Sequence, residues 1–542
     1  MNADPCVPAR VGALLALLCA GCAVGPDYQP PAVSSSAQWG ELASSASSTE
    51  TAMRAPGPTS TPDAGEPALA EWWTTFHDPM LDQLVARAIA GNLDLKVAES
   101  RVREARAQRA VVASELLPDL EPNASYTRER VSGSSLLVNS AATSTDAAST
   151  TPGVGSAAVE TDFFQAGFDA AWEVDVFGGA RRAIEESDAE LAAGIEARRD
   201  VLVSLLGEVA RNYVELRGAE RRVAIARTNL AAQQETLDII RTRAEAGLAS
   251  DLDVARAEAQ ARTTAAEIPT LETTARRAIH ALSVLLAKEP NALGDELSVE
   301  APVPPAPPRV PVGLPSDLLR RRPDVRRAER QLAAATARIG VVTAELFPRF
   351  SLTGSFGLQN TKLSHLTDGD SRFWSFGPSV SWPVLDLWRV SSQIHVEDER
   401  AHQAAAAYQL TVLTSFREVE DSLVALSREQ SRRDSLAGAV DSNRRAVDLA
   451  NQVYQAGRTD FLTVLQSQRD LYASEDALAQ SERDVASSLV ALYKALGGGW
   501  EIESREEPTV SSTGAPGHAE DVRPLANSAD WRASKWGSSK RV

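Results

Sequence analysis

The chain has 542 residues, 73 acidic against 55 basic, for a formal net charge of −18. That balance argues against nucleic acid as a partner, because phosphates need a basic face. The only cysteines are Cys6, Cys19 and Cys22, so everything beyond them lacks disulfides and thiolate metal sites, and six histidines leave little imidazole chemistry.

Residues 11–20 are apolar, follow Arg10 and precede Gly21-Cys22. The run is too short to span a bilayer and reads as the core of a signal peptide over residues 1–21. Small residues before Cys22 resemble a bacterial lipobox, with Cys19 where Leu is usual. Cys22 is therefore the expected acylated first residue of the mature chain, an ordinary signal cleaved nearby being the alternative. Ala23 in place of Asp fits sorting to the outer membrane. Residues 22–70 form an N-terminal tether, of which 34–67 are rich in Ser, Thr, Ala and Pro and read as flexible or wrapped. Order is expected from Trp72-Trp73, whose apolar area needs a partner surface.

Leu81 to Ala90 reads as a short amphipathic helix, and Asn92 caps a second one running to Leu117 before Pro118. Period-two patterning follows. Even positions from Phe164 to Val176 are apolar, against Asp169, Glu173 and Asp175 among the odd ones. The same alternation covers Phe350 to Leu358 and Trp374 to Val384. A weaker strand, carrying Pro122, lies around Leu120 to Thr127. Such strands put one face in an apolar medium and the other in water. Aromatics at Phe164, Phe168, Trp172, Trp374 and Trp382 favour lipid over a soluble half-buried sheet. The acids would bias a water-filled pore towards cations, or form a plain solvated face.

Gly178-Gly179-Ala180 opens a helix predicted to reach Ala246-Gly247, a rod of roughly 100 Å. The chain turns at Gly247 and returns from Ser250 to Lys288. Residues 301–314 are a Pro-rich linker, and Pro315 to Arg322 is a short helix before Pro323. A second long pair runs from Ser391 to Ala456, turns at Gly457, and returns from Thr459 to Gly497. Residues 501–542 are a polar, Gly/Ser-rich tail read as disordered.

The same unit is written twice, over 71–300 (hairpin about 119–176) and 315–500 (hairpin about 349–385). Ala98-Glu99 and Glu115-Leu116 recur 230 positions on, as Ala328-Glu329 and Glu345-Leu346. Beyond the hairpins the offset is 210, pairing Trp172 with Trp382 and Gly247 with Gly457. The difference is a longer hairpin loop in the first copy. Four strands cannot close a barrel, and open edges are not tolerated in lipid, so other chains must complete it. The pattern implies an assembled tube rather than an enzyme. No phosphate loop or nucleophile elbow is present, and no cofactor is expected. One metal-like set exists: His395, Glu399 and His402 at i, i+4 and i+7 on one helix, or simply a hydrated outward face.

Several motifs together resemble one family. They are Cys22-Ala-Val-Gly-Pro-Asp-Tyr28, Trp72-Trp73, Arg321-Arg322-Pro323-Asp324, Ala344-Glu345-Leu346-Phe347-Pro348, Tyr454-Gln455-Ala456-Gly457 and the ending Tyr493 to Trp500. The chain resembles an outer-membrane efflux lipoprotein of the TolC superfamily, in the branch serving resistance–nodulation–division pumps. The resemblance implies an α+β membrane protein: a homotrimer with a twelve-stranded transmembrane β-barrel continued by a long periplasmic α-helical barrel. It implies outer-membrane lipid, a periplasmic adaptor and an inner-membrane pump as partners, and passive export through an iris-like gate. Carried onto this sequence, the gate falls at Leu462, with Gln466 where the family usually has a carboxylate, and Tyr454 tethers neighbouring helices. The turns at Gly247 and Gly457 would form the periplasmic tip. An exit duct for type I protein secretion and a lipid-anchored structural coiled coil are the rival readings.

Overall fold

The computed structural model describes residues 23–32, 38–40, 61–63, 69–131, 159–307 and 309–502. The signal region, Cys22, most of the tether, the loop between the first two strands and the tail beyond Ile502 lie outside the described residues. The fold is that of the unit ending at Glu501; of the second unit only Ile502 is described.

Helix α1 (Pro79–Gly91) starts on Asp78, whose carboxylate accepts the Met80 and Leu81 N–H groups at 2.9 and 3.2 Å. Pro79 sits at the first helical position, where no N–H is needed. Helix α2 (Leu93–Ser114) is capped by Asn92, which accepts from the Leu95 N–H at 2.9 Å. It stops one turn short of the expected Leu117. The Leu117 N–H bonds Ser114 O in a tightened turn, and Pro118 pushes its predecessor out of the helical region. Strands β1 (Asp119–Val131) and β2 (Val159–Val174) follow, then the long helices α3 (Gly179–Glu245) and α4 (Asp251–Leu285). The second half repeats this as α5 (Pro315–Arg321), α6 (Pro323–Ala344), β3 (Arg349–Asn360), β4 (Arg372–Ser381), α7 (Leu387–Gln455) and α8 (Phe461–Ala495). A short parallel pair joins Thr61–Asp63 to Arg309–Pro311.

Counterparts agree closely in length: α2 and α6 have 22 residues each, α4 and α8 have 35 each. The agreement extends to single bonds. Trp172 donates its indole N–H to Leu116 O at 3.0 Å, and Trp382 donates to Leu346 O at 3.0 Å. Trp382 lies just past the end of β4, so it is a strand-to-helix fastener rather than a strand residue. Asp175 likewise falls outside β2. It accepts the Ala180 and Arg181 N–H groups and pairs with the Arg181 guanidinium at 3.0 Å, capping α3 instead of facing water from a strand.

The four strands form one antiparallel sheet in the order β1-β2-β3-β4, leaving β1 and β4 as open edges. α3 packs along α2, α4, α6 and α8, and α7 along α6 and α8. A dense core lies where the short helices meet the long ones. Trp72 stacks on Tyr493 at 5.1 Å between centroids, and Leu81, Leu84, Leu202, Leu206 and Tyr213 are fully buried. Tyr213 donates to Asp78 Oδ2 at 2.7 Å, so the cap of α1 also fastens α3. Arg322, in the Arg-Arg-Pro-Asp motif, is buried and donates to Asp324, Glu418 and Ala495 O. It thereby joins the α5–α6 corner to α7 and to the end of α8.

α8 ends in a reversal with Gly497 at φ +71°, where Gly498 N–H reaches Tyr493 O. The matching residue after α4 is Ala287, held at φ +56° with Lys288 N–H on Ser283 O. A Cβ in the left-handed region costs roughly 1–2 kcal/mol. Ala287→Gly should therefore raise stability by about 1 kcal/mol, and Gly497→Ala should lower it at least as much. Thermal unfolding of the purified protein in detergent reads both.

Candidate channel wall, helical tip and anchor strap

All three ladders pair even positions with even positions. Phe168 faces Phe356, which faces Trp374; Val174 faces Phe350, which faces Val380. Tyr126 faces Phe164 with ring centroids 4.8 Å apart. One sheet face thus gathers Leu120, Tyr126, Phe168, Phe356, Trp374 and Phe376. Trp374 is 77% exposed and Phe376 68% exposed. Side chains of this size need an apolar surrounding that the single chain does not supply. The odd face is polar: Ser351 bonds Ser379 at 2.7 Å, Ser355 bonds Ser375 at 2.6 Å, and Asn123 donates to Asp169 at 2.5 Å. Phe163 and Phe373 are its aromatic exceptions. At the loop end of the hairpin the apolar face gives way to charge, with Arg128 on Glu160 at 2.9 Å and Tyr126 donating to Asp162 at 2.9 Å.

At the other end of the long helices the chain reverses at Gly247 (φ +74°) and Gly457 (φ +68°). Leu248 N–H bonds Arg243 O and Arg458 N–H bonds Val453 O, the bonding of a left-handed helix cap. The return helices then start on mirrored pairs. Ser250 caps α4 with Asp253 as its partner, while Asp460 caps α8 with Thr463 as its partner. Asp253 is spent in that cap. Hydrogen bonds from Thr463 hold the Asp460 carboxyl below the usual range.

Below the turns, Leu237, Ile240, Ala257, Ala450, Phe461, Val464 and Leu465 form a buried cluster with Tyr454 packed against it. The Arg243 guanidinium lies 4.7 Å over the Tyr454 ring, joining α3 to α7. Leu462 points away from this cluster and is 44% exposed. Gln466, one turn further along the same face, is exposed and donates to Asp470 Oδ1 at 3.2 Å. A carboxylate is therefore present on the stripe, one turn beyond the position that the sequence pattern singled out. The i+4 spacing of Asp470 from Gln466 was the available signal.

Order begins well before Trp72, contrary to expectation. Val24 N–H bonds Phe177 O at 3.1 Å, and Ala23 lies against Gly178, where a Cβ would come within 2.6 Å of the Ala23 Cα. The buried Arg182 donates to Val24 O at 3.1 Å, Gly25 O at 3.3 Å and Asp27 Oδ1 at 2.7 Å. Gly25 touches the backbone of Gly340 in α6, Tyr28 donates to Glu329, and burial pushes the Tyr28 hydroxyl well above its usual range. Further on, Trp39 is buried against Phe416 and donates to Gly313 O at 3.0 Å. Residues 23–28 are thus a strap laid along α3 and α6, with Trp39 anchored on α7.

His395, Glu399 and His402 do not form a metal site. All three are exposed, His402 is 3.8 Å from Glu399, and no metal-holding group occurs among the described residues.

The outer membrane efflux protein family model matches residues 84–288 and 314–498. The chain belongs to that family. The two matched stretches fall on the two repeats. Nodulation protein T of Rhizobium leguminosarum bv. viciae is 32% identical over 507 residues, covering 94% of this chain and 97% of that protein. The solvent efflux pump outer membrane protein SrpC of Pseudomonas putida is 32% identical over 487 residues, covering 90% and 97%. Among solved structures, the outer-membrane channel OprN superposes with a TM-score of 0.78 at 36% identity, covering 89% of this chain and all of that one. CusC superposes at 0.71 with 26% identity, covering 88% and all of that chain. The family is one of outer-membrane channels rather than enzymes.

The Arg243–Tyr454 contact is between a cation and a ring face, worth about 0.5–1 kcal/mol at an exposed site. Arg243→Ala should speed amide hydrogen exchange at the α7–α8 turn, whereas Tyr454→Phe, which keeps the ring, should leave it unchanged.

Proposed function

We propose that this outer-membrane efflux protein is the passive exit duct of a tripartite resistance–nodulation–division export system. The carrying observation is the four-stranded sheet, with one apolar face, one polar face and two open edges. Three copies would close a twelve-stranded barrel, wide enough for a water-filled lumen on the polar side. The long helices would continue that lumen through the periplasm and meet the adaptor and the inner-membrane pump, which supplies the energy. The naming of relatives as efflux-pump components supports this reading over protein secretion. The sheet weighs against a plain coiled-coil rod. Purified protein should run as a heat-sensitive oligomer and conduct ions in planar bilayers. A folded monomer without conductance would defeat the duct.

Cys22, as the acylated first residue, would directly precede Ala23, which packs at the sheet–helix junction. Labelled palmitate should enter the wild type and be absent from Cys22→Ser; label retained in the variant would refute the assignment.

The gate in this reading lies on the α8 stripe. Leu462 side chains from three copies would meet on the axis and exclude water. Leu462→Ser should raise conductance several-fold and admit large antibiotics from outside. Gln466→Asp should add axial charge and increase block by divalent cations applied from the periplasmic side. Any block seen in the wild type should disappear in Asp470→Asn; if it persists there, the cation site is elsewhere.

A further inference from the structure

The apolar face of the sheet has a definite outer limit on all four strands, at the end away from the helices. In β2 its even positions run from Phe164 to Val174, about 33 Å of strand. At the tilt of a membrane barrel this stands about 25 Å tall, the height of an apolar band in lipid. The next even position outward is Arg128 in β1, Asp162 in β2, Asn360 in β3 and Arg372 in β4. One step further stand Arg130 and Glu160, opposite each other in the ladder. The end next to the helices is different. There the same face closes on Val174, Phe350 and Val380, with Trp382 just beyond. Charge on this face is gathered at its outer end.

We infer that Arg128, Arg130 and Arg372 bind the phosphates of the phosphorylated glycolipid that forms the outer leaflet of the outer membrane. The inference rests on the proposed duct, which puts the helices in the periplasm and this end of the sheet at the cell surface.

The arginines are aimed but not used up. Arg128 donates to Glu160 Oε2 at 2.9 Å and lies 3.9 Å from Asp162 Oδ1, while Arg130 lies 3.7 Å from Glu160 Oε1. Side-chain exposure stays at 62% for Arg128 and 71% for Arg130. A guanidinium carries five N–H donors in a planar fork. One carboxylate contact therefore leaves donors for a phosphate, whose oxygens match the fork two at a time. Arg372 is exposed and has no carboxylate paired with it among the described residues. Arg128, Arg130 and Arg372 against Glu160 and Asp162 leave this end of the face cationic. The carboxylates also hold Arg128 and Arg130 along the ladder, which reduces the ordering that a ligand would otherwise have to impose.

The neighbours fit a lipid rather than a soluble anion. Tyr126 stacks on Phe164 at 4.8 Å and donates to Asp162 at 2.9 Å, so its ring ends the apolar band and its hydroxyl enters the charged layer. Trp374, the next even position inward from Arg372, is left open to the surroundings. Such rings gather where acyl chains meet headgroups, and charge on a lipid-facing strand is tolerated only near that boundary. A phosphorylated glycolipid covers both layers at once, with acyl chains against the rings and phosphates against the arginines. A soluble anion would leave Trp374 uncovered.

The test uses the full chain, purified from an outer membrane in mild detergent and offered diphosphoryl lipid A, with bound lipid counted by native mass spectrometry. The wild-type oligomer should retain lipid A at least about tenfold better than a variant carrying Arg128→Gln, Arg130→Gln and Arg372→Gln together. Arg349→Gln, which removes an exposed arginine from the polar face, should behave as the wild type. Lipid A stripped of both phosphates should bind the wild type no better than it binds the triple variant. Equal retention by wild type and triple variant, or an equal loss in Arg349→Gln, would overturn the inference. So would equal retention of phosphatidylglycerol, which would make the patch a site for any anionic lipid. Arg372→Gln alone guards against a triple variant that fails to assemble. It breaks no ion pair among the described residues and should lower retention by about fivefold; no change there would overturn the assignment as well. A conducting oligomer without preference for lipid A removes this inference and leaves the duct, whereas a folded monomer without conductance removes both.

Discussion

The bilayer sets the condition that the rest of this protein answers to: a backbone N–H or C=O facing hydrocarbon has no water to bond. Each unpaired group costs several kcal/mol, so a sheet in lipid must have no edges. One chain contributes four strands, with β1 and β4 unpaired on their outer sides. In the proposed barrel a single chain could not satisfy its own backbone in lipid, and the proposed assembly answers that deficit. The apolar even-numbered face, the polar odd-numbered face and the aromatics along the strands are consequences of the same setting. In the proposed barrel a period of two in side-chain direction becomes a wall with lipid on one side and water on the other.

Duplication offers a geometry by which such a deficit could be made good in the proposed assembly. A unit that packs head to tail on its own copy can repeat that contact with a further chain, because the donor and acceptor surfaces are already present at its two ends. The repeats also diverge where their positions differ. The turn caps exchange the places of hydroxyl and carboxylate, Ser250 with Asp253 in one and Asp460 with Thr463 in the other. Pro269 inside α4 has Ala479 as its counterpart in α8. The α3–α6 contact is charged, with Arg327 3.1 Å from Asp200, whereas the corresponding positions, Val97 of α2 and Leu410 of α7, are apolar and exposed.

The strap shows how a segment without periodicity can be ordered. Residues 23–28 bury little apolar area, yet Arg182 binds two of their carbonyl oxygens and the Asp27 carboxylate at once. A buried guanidinium with fixed acceptors holds backbone more firmly than a flexible ammonium could. Trp39 adds one large anchor in a stretch of small residues. The chain from Ala23 onward is therefore fastened to the joint where sheet becomes helix.

The sequence alone determined the features that depend on local order: the alternation of the strands, the glycines at the two reversals, Asn92 as a cap and the proline-free length of the rods. These are legible because period, cap chemistry and positive φ each act over a few neighbouring residues. Strand and helix ends were less legible. Asp175 and Trp382 continue the alternation in sequence, but a carboxylate beside two free N–H groups caps a helix, and an indole near Leu346 O fastens a turn. His395, Glu399 and His402 share a helical face, yet all three are exposed and no metal-holding group occurs among the described residues. Only the tertiary structure brought Arg182 to Val24 and set Asp200 against Arg327. Each of these depends on which distant elements lie side by side, and a pattern of neighbours along the chain carries no record of that.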